Sequence, residues 1–286
     1  MSFEPTKSAQ HAPTAPTGFA RLDSQPFPEF APGWVWLVGA GPGAPGLMSL
    51  LCYHALQACD VVVYDALVNP DILHWVNPGA ELEYAGKRGG KPSPVQRDIT
   101  LRLIELARSG LRVLRLKGGD PFMFGRGGEE CQNLAAAGIP FRVVPGITAG
   151  VGGLAYAGIP ATHRDTNHSV TFLTGHDASG QMPASVDWAA IAKASPVIVM
   201  YMAVKHLGEI AAALMAAGRD GGEPVVIVSN ASLPQQQVAE TTLAQAEAFI
   251  RANEPPTPAL VTVGQAAQWR SVLDWYRGNL RENAIG

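Results

Sequence analysis

The stretch Leu114 to Glu130, LRLKGGDPFMFGRGGEE, sets two kinds of ligand chemistry side by side. Gly118 and Gly119 remove side chains at a strand end, so backbone there can approach a bound molecule closely. Asp120 adds a carboxylate able to accept hydrogen bonds from a ribose or an amino group, although an Asp-Pro pair also serves merely to start a turn. Arg126 then stands alone in Gly125-Arg126-Gly127-Gly128. A guanidinium is the usual bidentate partner of a carboxylate, so a ligand role is preferred for this arginine. Glu129 and Glu130 have a plainer explanation, since acids are favoured in the first turn of a helix.

Around this segment the basic residues are concentrated. Between Lys87 and Arg126 there are ten Lys and Arg (Lys87, Arg88, Lys91, Arg97, Arg102, Arg108, Arg112, Arg115, Lys117 and Arg126) against Asp98, Glu105 and Asp120, a local charge of +7 in a chain of net charge -3. Arg102 and Arg108 suit the wet face of a helix, but a basic region on an acidic protein points to a small polyanionic ligand. His163, His168 and His176 show no metal-ligand spacing and no clustered acid, and are read as satisfied core or surface residues. Arg164, which follows His163 at a change of composition, is the better candidate for the ligand cleft.

Such residues need strand ends to carry them. From Trp34 onward, apolar runs of strand length (34–39, 60–64, 111–116 and 141–145, then SVTFLTG, SPVIVMYM and EPVVIVSN) alternate with helical patterns over 47–58, 95–108 and 205–217. The second of these helices opens on a capping box of Ser93, Pro94 and Gln96. The alternation implies an α/β protein with mainly parallel or mixed sheets, in two α/β domains (34–160 and 168–275) with a ligand cleft between them. The six prolines of residues 1–33 predict a disordered lead-in. No charge occurs from Val143 to Thr162, long enough to span a bilayer, but two prolines and five glycines there predict a buried, loop-rich segment of a soluble protein instead.

The first strand runs into Gly39-Ala40-Gly41-Pro42-Gly43-Ala44, which formally satisfies G-x-G-x-x-A, with Asp65 about where a dinucleotide-binding acid belongs. Pro42, Gly43 and Pro45 resist helix and present no prompt helix N-terminus to a pyrophosphate. Dinucleotide site, other nucleoside site and structural turn all remain open on this motif. A pI near 6.2 argues against a general nucleic-acid binder. Three cysteines without a C-x-x-C pair suggest neither a disulfide framework nor zinc, and point to a reducing, cytoplasmic setting.

With these segments in view, the chain resembles the tetrapyrrole methylase family over about 34–265. The marks are LVGAGPG, DVVVYDALV, GKRGG, RLKGGDPFMFGRGGEE, GIPFRVVPGIT, AGIPATHRD, the TGH at Thr174 to His176, and VIVMYM. The resemblance implies two α/β domains, a homodimer, and the methyl donor S-adenosylmethionine in the cleft, released as S-adenosylhomocysteine. By position the donor lies against Pro42, Gly118, Gly119, Asp120, Met123, Thr148, Ala149, Met202 and Ala231. The macrocycle meets Arg126, Glu129 and Arg164, with Arg126 and Glu129 as the catalytic pair. The implied reaction is methylation of uroporphyrinogen III at C2 and C7 through precorrin-1 to precorrin-2, the first committed step toward siroheme, cobalamin or heme d1. Neither metal, nucleic acid nor membrane enters this reading. A family member acting on a later precorrin is the nearest alternative, and a nucleotide-dependent oxidoreductase built on Gly39 to Ala44 a more distant one. Ala44, GITAG, ATHR and YMAV depart from the usual family pattern, by small changes that touch fine contacts at Ala149 and around Ala44.

Overall fold

A computed structural model describes residues 26–86, 96–177 and 179–277. The capping box at Ser93 and Pro94, and the cations Lys87, Arg88 and Lys91, lie outside the described residues. The first sheet holds β1 (Val35–Gly39), β2 (Val61–Tyr64), β3 (Glu81–Tyr84), β4 (Val113–Lys117) and β5 (Phe141–Val144), in the order β3-β2-β4-β1-β5. All of its pairs are parallel. Helices α1 (Leu50–Ala58), α2 (Pro70–Leu73), α3 (Gln96–Arg108) and α4 (Gly127–Ala136) connect these strands, and α5 (Ala149–Tyr156) follows β5.

A parallel sheet covered on both faces reads as continuous apolar sequence, and β1 is buried at all five positions. Alternation divides its side chains between two cores. Trp36 and Val38 meet Cys52, Ala55 and Leu56 of α1. Val35 and Leu37 meet Leu103 and Leu106 of α3 and Leu134 of α4. Residues at the end of the expected lead-in belong to the first of these cores. Phe30 is buried and stacks on Trp36, Phe27 stacks on His54, and Arg112 Nε donates to the Phe30 carbonyl at 2.9 Å. Aromatic burial, which the prolines masked, anchors this strap.

The second sheet holds β6 (Thr171–Thr174), β7 (Ile198–Tyr201), β8 (Pro224–Ser229), β9 (Gln237–Thr242) and β10 (Ala259–Val263), in the order β6-β7-β10-β8-β9. Only the β6–β7 pair is parallel; β10 runs antiparallel to β7 and β8, and β9 antiparallel to β8. Helices α6 (Trp188–Ala194), α7 (Leu207–Ala216) and α8 (Ala246–Asn253) pack on one face, and α9 (Arg270–Leu273) is the last helix among the described residues. The edge strands β3 and β9 are polar and half exposed, which is why neither shows as an apolar run.

The uncharged segment 143–162 is loop over only half of its length. It contains α5, whose glycines are packing positions. A Cβ on Gly153 would lie 2.9 Å from that of Ala231, and one on Gly152 2.8 Å from Ile147 Cγ2. Three glycines let this helix sit close against the loops of both sheets, while Leu154 enters the core beneath the second sheet.

Strand β4 carries Arg115 and Lys117 on the face covered by α3 and α4, and both are buried. Arg115 meets Asp65 at 2.5 Å and Glu130 at 3.0 Å; Lys117 meets Glu130 at 3.2 Å and Asp65 at 3.5 Å. Burial opposes the Arg115 charge, but Asp65 and Glu130 outweigh it and raise its pKa. Two cations and two carboxylates cancel, and removing one partner leaves an uncompensated buried charge worth about 3–5 kcal/mol. Arg115→Leu is expected to destabilise the fold by that amount. Adding Glu130→Leu should recover a large part, because Asp65 and Lys117 remain balanced. Strictly additive losses in thermal denaturation of the two single variants and the double variant would show that the four charges do not act together.

Candidate active site

The loops that leave β1, β2, β4 and β5 of the first sheet meet those after β6, β7 and β8 of the second, and the chain entering β10, around a cleft of about 580 Å³. In open α/β sheets ligands lie beyond the carboxyl ends of the strands. The loops are brought together backbone to backbone. Gly119 N donates to the Gly41 carbonyl at 2.7 Å and Gly41 N returns a bond at 3.2 Å. A Cβ on Gly39 would fall 2.5 Å from the Gly119 carbonyl oxygen and 2.6 Å from the Gly146 backbone. Gly119 has φ +66°, a region that favours glycine.

Asp120 is one of the ties. Its Oδ1 accepts from Phe122 N at 2.8 Å and its Oδ2 from Gly146 N at 3.0 Å, so this carboxylate holds the β4 loop to the β5 loop. Across the cleft, Tyr201 at the end of β7 reaches the start of α5. Its hydroxyl lies 2.6 Å from Thr148 Oγ1 and accepts from Gly150 N at 2.9 Å. These two contacts fix the Thr148 hydroxyl at the edge of the cleft that Thr148 and Tyr201 both line. Burial raises the Tyr201 pKa. Phe124, Arg126 and Met202, all lining the cleft, adopt positive φ without being glycine. Such backbone strain concentrates where geometry serves function.

Arg126 caps α4 in a left-handed conformation and forms a fork with Glu129, Nε to Oε1 at 3.1 Å and the terminal NH2 to Oε2 at 2.7 Å. The bond to Glu129 raises the Arg126 pKa, and the bond from Arg126 lowers that of Glu129. The pair therefore stays ionised at neutral pH and is lost only as pH falls through the lowered carboxyl pKa. A guanidinium held this way is a cation, not a proton acceptor.

Pro42, Gly118, Gly119, Asp120, Met123, Thr148, Ala149, Met202 and Ala231 all line this one cleft, and so does Arg126. Glu129 does not; it stands behind Arg126 on the exposed side of α4. Arg164 is also not among the lining residues. It lies on an exposed turn closed by the His163–Asn167 bridge. His176, read from sequence as a bland residue, lines the cleft, with Nδ1 2.9 Å from the Asp177 carbonyl. Tyr201, Arg115, Lys117 and Lys205 line it too and were not anticipated. Tyr201 sits beside Met202, but its partner Thr148 is 53 residues away and nothing local announces the pairing.

Among the described cations of 97–126, five are engaged by carboxylates of the fold. Arg102 pairs with Glu83 and Glu105, Arg112 with Asp60, Arg115 and Lys117 with Asp65 and Glu130, and Arg126 with Glu129. Asp65 thereby faces cations and not a ribose, and α1 begins only at Leu50, after a 3-10 turn at Pro45–Leu47. Both features count against a dinucleotide site at Gly39 to Ala44. Among the described residues, no group of three or more His, Cys, Asp and Glu is placed to hold a metal ion, and no helix is long and apolar enough to cross a membrane.

The family model for tetrapyrrole (corrin/porphyrin) methylases matches residues 35–247. A uroporphyrinogen-III C-methyltransferase of Sinorhizobium sp is 63% identical over 248 residues, covering 87% of this chain and 89% of that protein. The siroheme synthase of Zymomonas mobilis is 47% identical over 247 residues, 85% of this chain, which spans 51% of its length. Among solved structures, the uroporphyrin-III C-methyltransferase of Thermus thermophilus complexed with S-adenosylhomocysteine superposes with a TM-score of 0.71 at 37% identity, over 82% of this chain and 98% of that one. With its two sheets, its shared cleft and these matches along most of its length, the chain belongs to the tetrapyrrole methylase family.

Proposed function

We propose that this cleft transfers methyl groups from S-adenosylmethionine to C2 and C7 of uroporphyrinogen III, giving precorrin-2 by way of precorrin-1. The observation that carries the reading is the convergence of nine residues, from Pro42 to Ala231, on one cleft that Arg126 also lines. The same reading divides the chain into domains at 34–160 and 168–275 and takes it to be a cytoplasmic homodimer.

The cleft suits the donor by what its glycines leave open. A Cβ on Gly119 would meet nothing nearer than Thr148 Cα at 3.9 Å, while one on Gly118 would strike Leu67 Cβ at 2.7 Å. The donor's sulfonium supplies an electrophilic methyl group. Displacement at that methyl asks the protein for alignment and exclusion of water rather than for a nucleophile. Gly118 and Gly119 give close backbone contact, Thr148, steadied by Tyr201, offers a hydroxyl, and Met123 and Met202 provide apolar wall. On the acceptor side, Arg126 presents a permanent cation to an octacarboxylate, with Glu129 fixing its plane. Arg164, away from the cleft lining, keeps a part in this reading only toward the rim of the macrocycle.

Anaerobic incubation with S-adenosylmethionine and uroporphyrinogen III, followed by mass, is expected to show a gain of two methyl groups. No transfer, combined with saturable NAD(P) binding, would sink the reading. Arg126→Lys retains charge but loses the fork, and a displaced contact of this kind costs about 100-fold in turnover. Donor affinity in that variant should stay at the unsubstituted value, and near-normal turnover would remove Arg126 from the mechanism. Gly119→Val places bulk in the cleft at a position with positive φ, so donor affinity should fall by at least about tenfold, roughly 1.4 kcal/mol. Unchanged affinity in titration calorimetry of the folded variant would refute that placement.

A further inference from the structure

An acceptor with eight carboxylates requires cations that are not already spent, and few of those lining the cleft qualify. Arg115 and Lys117 are buried and cancelled by Asp65 and Glu130, whereas Arg126 gives Nε and one terminal NH2 to Glu129 and keeps its other NH2 on an exposed side chain that lines the cleft. His176 has its Nδ1 against the Asp177 carbonyl. Lys205 differs from all of these. It lines the same cleft, is exposed, and forms no ion pair or side-chain hydrogen bond among the described residues.

Its backbone is nevertheless held firmly. Met202 turns the chain at φ +55° after β7, and Val204–His206 forms a 3-10 turn. His206 is buried, with Nε2 2.9 Å from the Gly180 carbonyl. A free side chain therefore projects from a fixed base. Stability does not account for a cation there, because Lys205 lies just before α7 (Leu207–Ala216), whose N-terminal dipole favours anions. Glu209 in the first turn of α7 follows that rule and Lys205 breaks it. Position matters as well. Arg126 reaches the cleft from the first sheet, by the loop after β4, and Lys205 from the second, by the loop after β7.

We infer that Lys205 is a specificity-determining residue that binds a peripheral carboxylate of the acceptor, so that the macrocycle is held by a cation from each sheet. The inference rests on the uroporphyrinogen reading above. Its test is steady-state kinetics of the full chain, anaerobically, with the unsubstituted protein, Lys205→Ala and Lys205→Arg. Loss of one charge-assisted contact should raise the KM for uroporphyrinogen III about three- to tenfold. The KM for S-adenosylmethionine should hold, the salt dependence of kcat/KM should become shallower, and Lys205→Arg should recover most of the loss. Removing a cation opposed by a helix dipole should leave Tm equal or higher, whereas a merely structural lysine would lower it. If the unsubstituted chain methylates uroporphyrinogen III and Lys205→Ala keeps its acceptor KM, this assignment alone is overturned. If both KM values rise together, the residue is structural and the assignment fails. If the unsubstituted chain transfers no methyl group to the octacarboxylate, the functional reading falls and this inference with it.

Discussion

Arg115 and Lys117 stand two residues apart on the central strand β4, 1% and 3% exposed, and charges at that depth persist only where neighbours cancel them. Much of the surrounding arrangement follows from this need. Asp65 must close β2 where it can reach both cations, and Glu130 must enter the first turn of α4 facing inward. The loop between β4 and α4 must then span from Gly118 to Arg126 with both of its ends anchored. The result is a cleft floor that is polar, ionised and electrically balanced.

The same loop divides between two tasks. Gly118 to Met123 forms wall, tied to Gly41 by the backbone of Gly119 and to Gly146 by the Asp120 carboxylate. Arg126 and Glu129 form a charged pair at the head of α4, held by a left-handed residue that only a well-determined loop maintains. One short segment thus serves a donor half and an acceptor half of the proposed site, and the second sheet closes over both through Tyr201, Met202 and Ala231.

Local regularities made much of this legible. β1 and β2 are covered on both faces, so their sequences are unbroken apolar runs, and β4 and β5 keep that pattern apart from Arg115, Lys117 and Arg142. The glycines at 118 and 119 advertise close approach because no other residue serves there. Other elements carried no such signal. β3 and β9 are edge strands whose polar residues face water, and α5 hid behind glycines whose packing partners lie in loops of both sheets. Residues 26–33 were read with a disordered lead-in because prolines are visible in a line of letters, whereas the stacking of Phe30 on Trp36 is not.

By itself the sequence determined the α/β alternation, the strand ends that carry the site and the motifs that mark the family, because each is encoded in contiguous residues with a fixed spacing; the residues assigned to the cleft wall came through the family resemblance that those motifs carry. What only the tertiary structure decided is which charges are free. A count of +7 across 87–126 cannot distinguish a cation facing solvent from one cancelled by a carboxylate 15 or 50 residues distant, as Arg115 is by Glu130 and Asp65. Charge acts through space, and its partners are chosen by the fold. The fold likewise leaves Arg164 outside the cleft lining and places Tyr201, His176 and Lys205 in it.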